Sequence, residues 1–523
     1  MIRSLTASVA ALVLTLLVGC GGGASGTPAT PPPAAGLVVE TLQTSGTPGN
    51  RINLALLGDG YRAQDQDKLA KDARAFLTTF QKAAPYSNYA AFFNVKLVHL
   101  VSNEDGAANG MHGFGVTRDT ALGAAFQNAN PPGMAPDYRL LVVDNARAQA
   151  VVMANAPECS LVLVLVNDTN YGGSGGALSV FSANPSSAAI ALHEFGHTFG
   201  GLADEYTCGE TGALPGSFET YPNVTTRMTL PELKWAGWIP PGVPLPTPCT
   251  WLYAAGPGLF EGGYYHDTGV YRPRETCRMR ALADPFCEVC SEAIVRGVYA
   301  RMAPLDGATP AGPVQVAPGS PLTLAITRPV PNPDTFQVTW TLDGNPVTGQ
   351  GDSLTLQLPA GTHTVSARVL DATPLVRAGQ ERLTQVHTWS VTVGTAVQAM
   401  TIPAPEQHQV VRVTRTASGF QVVDRQILDL PLPAQTSGTW QLEALDQDGR
   451  VRFQAAVADP TELRGEFQDP DDPAKIQGHH LTDDRPVSFL VRLPVDATHR
   501  LELYAQPRGG QRQALGGAFL TAP

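Results

Sequence analysis

The sequence predicts an α/β layer up to about Pro304, followed by two all-β domains, the first an Ig-like sandwich. Three observations carry this. Apolar runs alternate with helically spaced segments before Pro304. Short alternating strands between turn signals follow it. Gly (52) and Pro (44) are abundant among 523 residues, which favours loops and short strands.

The N-terminus reads as an address rather than a fold. Met1-Ile2-Arg3 opens it with positive charge, and Leu5 to Val18 is apolar but too short for a comfortable membrane span. Leu17-Val18-Gly19-Cys20 resembles the lipobox of bacterial lipoproteins, in which the cysteine is lipidated after cleavage. Residues 1–20 are therefore expected to be a signal peptide, and residues 21–36 a flexible tether.

The first domain is expected over residues 37–305. Ile52 to Leu57 is an apolar run that meets a turn at Gly58-Asp59-Gly60, so it reads as a strand. Gln64 to Ala83 has helical spacing, with Leu69, Ala73, Phe76 and Phe80 on one face. Phe93 to Val101, Tyr138 to Val143 and Leu161 to Val166 read as further strands, and Ser186 to Gly200 as the next helix. Ala308 to Gly319 has linker composition. An Ig-like sandwich is expected at 313–396, with strands at 322–326, 336–340, 353–358, 363–369 and 387–393. A second β-domain is expected at 397–523, with strands near 420–423, 439–445, 487–493 and 501–504.

A net charge of −11 argues against nucleic acid as a partner, because phosphate binding needs a basic surface. Beyond Cys20 there are six cysteines: Cys159, Cys208, Cys249, Cys277, Cys287 and Cys290. An even number in an exported chain predicts disulfides. Cys287-Glu288-Val289-Cys290 has the spacing of half a zinc ribbon or a redox pair, but no second CxxC completes a four-cysteine zinc site.

Chemistry concentrates in His193-Glu194-Phe195-Gly196-His197. Residues i and i+4 share one helix face, so His193 and His197 can aim two imidazoles at one zinc ion. Glu194, one residue on, reaches toward a metal-bound water as general base. Ile190-Ala191-Leu192 makes the helix apolar, and Gly200-Gly201 marks its break. In the metzincin pattern HExxHxxGxxH the glycine matches Gly200, but the third ligand position falls on Ala203, which cannot bind metal. Asp204 is the expected third ligand, with Glu205 and then His266 as alternatives.

The run His193 to Tyr206 resembles the core of the bacterial IgA-peptidase family of zinc metallopeptidases. Leu57-Gly58-Asp59-Gly60-Tyr61, Phe92 to Val95, Asn170 to Gly175, Tyr271-Arg272-Pro273, Cys277 to Arg280 and Cys287 to Cys290 are similar in the same order, so the likeness spans Ile52 to Tyr299. It implies a metzincin-like fold, with the zinc helix beneath an edge strand that receives substrate as an added strand. It places Tyr171 to Ala177 near that edge and Met279 beneath the metal. Tyr206, Tyr264 and Tyr265 become candidates to bind the oxyanion, with Tyr206 and Tyr264 preferred. Asp59 is expected to hold a loop.

The expected function is an exported endopeptidase with one zinc ion and a protein or peptide substrate. Through Cys20 it would be anchored to the cell envelope, at the outer membrane or cell surface, or released from it. Two other readings compete: a surface adhesin with an inactive peptidase-like domain, and a zinc amidase acting on cell-wall material.

Overall fold

Eight consecutive buried residues, Ile52–Asp59, run through the centre of the first domain as a strand covered on both faces. The computed structural model describes residues 36–520 other than 110–114, 129–137, 210–211, 217, 350, 395–405, 433–437, 469–475, 483–484, 496–498 and 506–511. The lipobox with Cys20 and the tether up to residue 35 lie outside the described residues.

The first domain runs β1 (Val39–Gln43), β2 (Ile52–Asp59), α1 (Gln66–Lys82), β3 (Phe93–Val98), β4 (Ala108–Asn109), β5 (Ala125–Gln127), β6 (Leu140–Val142), α2 (Asn145–Asn155), β7 (Leu161–Val166), β8 (Gly173–Gly176), β9 (Ser179–Ser182) and α3 (Ser187–Gly200). The strands form one sheet in the order β1-β3-β2-β7-β9-β8-β6-β5-β4. Strands β3, β2, β7 and β9 are mutually parallel, whereas β1 and β8 run against their neighbours β3 and β9. Alternation along β2 explains its complete burial: Leu54 and Leu56 face the core of α1 and α3, while Ala55 and Leu57 face the core of α2. The helical face predicted for α1 is buried at Leu69, Ala73, Phe76 and Phe80.

Helix α3 stops at Gly201, whose φ of 62° is left-handed and suits glycine. The Gly201 N–H reaches the His197 carbonyl at 3.0 Å and the Leu202 N–H reaches that of Gly196 at 3.3 Å. The chain thus folds back beneath the helix. The hairpin of β10 (Phe260–Gly263) and β11 (His266–Arg272) then crosses it, and its corner residues Tyr264 and Tyr265 have φ of 48° and 67°. Such backbone is costly for aromatic residues and persists only where neighbours enforce it. Here the Tyr264 N–H binds the Asp204 carbonyl at 2.9 Å and the Tyr265 N–H binds that of Tyr206 at 3.0 Å. Helix α4 (Glu288–Tyr299) packs against α3 through Ile294.

The next domain holds β12 (Gly307–Thr309), β13 (Val314–Val316), β14 (Leu322–Thr327), β15 (Phe336–Leu342), β16 (Asn345–Val347), β17 (Ser353–Leu356), β18 (Gly361–Asp371) and β19 (Thr384–Val393). They make sheets β12-β14-β17 and β13-β19-β18-β15-β16, which share a core where Trp340 and Trp389 stack at 5.6 Å. The stretch 308–319 is more than a linker: most of β12 and all of β13 lie within it and join one sheet each.

The last domain holds β20 (His408–Thr416), β21 (Gly419–Leu428), β22 (Trp440–Leu445), β23 (Val451–Val457), β24 (Glu462–Gln468), β25 (Ile476–Thr482), β26 (Val487–Pro494), β27 (Arg500–Ala505) and β28 (Gln513–Phe519). Sheets β21-β20-β26 and β23-β22-β27-β28 form its body, while the hairpin β24–β25 leaves that body and joins the sheet of the first domain at β8.

The expected disulfides are corrected. Among the described residues no disulfide joins the six cysteines, of which Cys159, Cys277, Cys287 and Cys290 are buried and Cys208 and Cys249 exposed. Even Cys277 and Cys290 stand 3.6 Å apart, far beyond the roughly 2.05 Å of an S–S bond. The physical reason is placement: Cys277, Cys287 and Cys290 converge as a group of three with Glu205, not as pairs.

Candidate active site

The site is built on one turn of α3. His193, Glu194 and His197 are all buried there, with the two histidines on one face. The His193 Nδ1 lies 2.8 Å from the Arg278 carbonyl and the His197 Nδ1 lies 2.7 Å from the Leu202 carbonyl. A carbonyl can only accept, so the His193 Nδ1 carries the proton and its Nε2 presents a lone pair inward, while at His197 the Leu202 carbonyl and the Arg464 guanidinium both face Nδ1. The two Nε2 atoms are 3.1 Å apart, and Asp204 Oδ1 stands 3.1 Å from one and 3.2 Å from the other. Three donors at tetrahedral zinc ligation, with bonds near 2.0–2.1 Å, would have edges of about 3.3 Å. The donor set therefore fits a zinc-type cation.

Asp204 is held on its other oxygen, where the Tyr265 hydroxyl donates to Oδ2 at 2.6 Å. Burial pushes its carboxyl up, but His197 and His193, when protonated, outweigh this and hold it well below the usual carboxylate range. Asn223 fixes the preceding loop. Its Oδ1 accepts from the Ala203 N–H at 2.8 Å, and its amide donates to the Ala203 carbonyl at 2.7 Å and to Glu205 Oε1 at 2.9 Å. Met279 is fully buried beneath the helix, its sulfur 2.9 Å from where a Cβ on Gly196 would stand. It packs against the turn that carries both histidines.

Glu194 points toward strand β8. A Cβ on Gly175 would lie 1.7 Å from Glu194 Oε2, so only glycine leaves room for the carboxylate. Strand β6 pairs with β8 only at Leu140 and Gly173, and the rest of that edge is taken by β24. Leu463 pairs with Gly176 and Arg464 with Gly175 in antiparallel register. Arg464 is buried, its guanidinium against His197 Nδ1 and 3.8 Å from Asp204 Oδ2. The predicted segment Tyr171 to Ala177 is thus an edge that accepts an antiparallel strand.

The remaining predicted residues divide. Glu205, the alternative third ligand, turns its carboxylate away to Asn223 and to Cys290 Sγ at 3.1 Å. His266 is occupied by the Tyr264 carbonyl at 2.7 Å and the Gly212 carbonyl at 2.9 Å. Tyr206 and Tyr264 sit in the aromatic cluster beside the site with Phe218 and Tyr221. Of the three candidate tyrosines, it is Tyr265 whose hydroxyl meets Asp204. Asp59 accepts from Ser102, Thr120, and the Leu122 and Ala124 N–H groups, tying loops together as expected. Arg464 and Asn223 escaped sequence reading: one lies 267 residues from His197, and neither sits in a recognisable motif.

A family profile described as IgA Peptidase M64 matches residues 40–252 and 251–298. No curated protein matches the chain. Among solved structures, it is similar to a chimeric titin Z1Z2-Z1Z2 tandem at 16% identity, over 40% of this chain and 94% of that one, with a TM-score of 0.12. It is similar to the Bacteroides ovatus mixed-linkage glucan utilization locus protein SGBP-B at 11% identity, over 40% and 65%, with a TM-score of 0.12. The N-terminal four Ig domains of Dscam1 isoform 9.44 align at 8% identity, over 41% and 70%, with a TM-score of 0.13. Likenesses this weak carry no argument about function.

Proposed function

The chain belongs, through residues 40–298, to the IgA peptidase M64 family, and on that premise we propose that it is an exported zinc-dependent endopeptidase. His193, His197 and Asp204 hold the metal, and Glu194 is the general base. The observation that carries this is the convergence of two Nε2 atoms and one carboxylate oxygen within 3.2 Å, with both Nδ1 atoms tied to backbone carbonyls. Bound there, zinc supplies a Lewis acid that polarises the peptide carbonyl and acidifies water.

The protein's own groups do the rest. Strand β8 holds an extended peptide by antiparallel pairing, so the scissile bond lies over α3. Glu194 takes a proton from the attacking water and returns it to the leaving amine. Tyr265 keeps Asp204 oriented. Tyr206 and Tyr264, in the adjoining aromatic cluster, are the candidates to bind the developing oxyanion. A lipidated Cys20 anchors the protein to the envelope, and the Ig-like domain read at 313–396 serves as a spacer.

The test is metal analysis with peptide hydrolysis. Wild type should cleave unfolded polypeptides, lose activity to chelator and regain it with zinc. Glu194→Gln should keep its zinc and melting temperature but lose at least about 10²-fold in turnover. A zinc-loaded Glu194→Gln protein that still cleaves at the wild-type rate would refute the reading.

A further inference from the structure

The geometry points to a second metal site, closed and structural, in which Cys277, Cys287, Cys290 and Glu205 hold one thiophilic divalent cation of the zinc type. All four residues are buried, and one ligating atom from each lies within 4.8 Å of the others. Cys277 and Cys290 sulfurs stand 3.6 Å apart. With Zn–S bonds near 2.3 Å, two thiolates on one tetrahedral zinc are separated by about 3.8 Å, so the spacing is that of shared ligation and not of a disulfide. Three thiols in one pocket also cannot pair without leaving one over. The Cys287 N–H points at Cys277 Sγ at 3.4 Å, a donor suited to a thiolate. Cys287 is the N-cap of α4 and Cys290 lies in its first turn, where the helix dipole favours anionic sulfur.

Glu205 supplies the independent observation. It is fully buried, yet its Oε2 has no hydrogen-bond partner, while Oε1 meets Asn223 and Cys290. A buried carboxylate oxygen left unpaired is unfavourable, and a cation at the cluster satisfies it. The site's place gives it a task. Glu205 follows Asp204 directly, and Cys277 precedes Arg278, whose carbonyl holds His193. The Glu205 N–H binds the Met279 carbonyl at 2.7 Å. One ion at the cluster would lock both loops that build the first site, and four protein donors leave no open position for catalysis.

The test uses the full chain. Wild type should carry two zinc equivalents and His193→Ala one. Replacement with cobalt should give His193→Ala an intense sulfur-to-metal charge-transfer band that Cys287→Ser lacks. In denatured, chelated, non-reduced protein Cys277, Cys287 and Cys290 should all be alkylated as free thiols. A disulfide within Cys277, Cys287 and Cys290, or wild-type protein that takes up cobalt without the sulfur band, would overturn the proposal. The wild-type measurements decide it even if Cys287→Ser does not fold. Because His193→Ala isolates the cluster, the outcome is independent of the peptidase reading.

A separate observation concerns the occupied edge. We infer that β24 acts as a built-in blocking strand, seated where an incoming peptide would pair and anchored by Arg464. This rests on the peptidase reading. Strand β24 runs antiparallel to β8, and the Glu462 carbonyl packs against Gly176, where a Cβ would come within 2.2 Å of it. Leu463 adds an apolar anchor beside Leu140, Val142 and Leu481. Arg464→Ala should raise kcat/KM for an unfolded peptide about tenfold, mainly through KM, and speed hydrogen exchange at Gly175 and Gly176. Faster exchange with kcat/KM unchanged or lowered would overturn the inference. Failure of the peptidase reading would show separately, as an inactive wild type with normal exchange protection.

Discussion

Gly175→Ala tests the geometry of the general base more directly than removing the base itself. The new methyl would stand 1.7 Å from Glu194 Oε2 and 2.7 Å from its Cδ. Relief requires the carboxylate to retreat to the 3.4 Å of ordinary contact, since β8 is pinned by its pairs with β9 at Gly173–Phe181 and Ser174–Val180. That is a displacement of well over 1 Å. A misplacement of about 1 Å costs on the order of 10²-fold in rate, so kcat should fall by at least that factor. Overpacking a buried site should also lower stability by about 1–3 kcal/mol.

The assay pairs turnover of a fluorogenic peptide with thermal unfolding and metal content. Zinc should stay bound, because the clash falls on Glu194 and not on His193, His197 or Asp204. In Gly175→Ala/Glu194→Ala the clash is gone, so a double-mutant cycle should recover about 1–2 kcal/mol of the stability lost in Gly175→Ala alone. A Gly175→Ala protein with wild-type turnover and melting temperature would show that Glu194 does not rest against this strand, and the argument would fail.

Other expectations follow from single contacts. Tyr265→Phe removes the 2.6 Å bond to Asp204 and should weaken zinc affinity about 10–100-fold in chelator competition, with the fold intact. Asn223→Ala leaves buried partners at Ala203 and Glu205 unsatisfied and should cost roughly 2–4 kcal/mol by urea unfolding. At Glu219, burial pushes the carboxyl up, but donation from the Thr226 N–H and from Lys234 outweighs it and lowers it to about 2. That contribution is present above the ordinary glutamate range and is lost as pH falls toward about 2. Glu219→Gln should therefore lower stability at neutral pH and flatten the acid side of the stability profile.

The sequence determined what is local. Continuous apolar runs and helical spacing set β2, α1, β7 and α3 to within two residues of their observed ends, because strands covered on both faces and helices packed on one face impose those patterns on adjacent residues. HExxH fixed which side chains share a face, and the break at Gly200-Gly201 correctly announced that the chain returns beneath the helix. The sequence ranked Asp204 above Glu205, but which carboxylate faces the histidines depends on tertiary contacts. Adjacent residues point in different directions, and only the Tyr264-Tyr265 corner and Asn223 decide which carboxylate meets the histidines.

Long-range contacts were decided by the tertiary structure. Counting six cysteines suggested pairs, but three of them converge with Glu205 as α4 docks on α3, so connectivity by parity failed. Strand β24 carries no signature of its destination. Its place on β8 arises because the edge beyond Gly173 has unpaired backbone groups and a strand from the last domain is positioned to satisfy them. Periodicity along a chain reports what each residue needs to bury. Which distant segment meets that need depends on how the whole chain closes, and no local pattern encodes it.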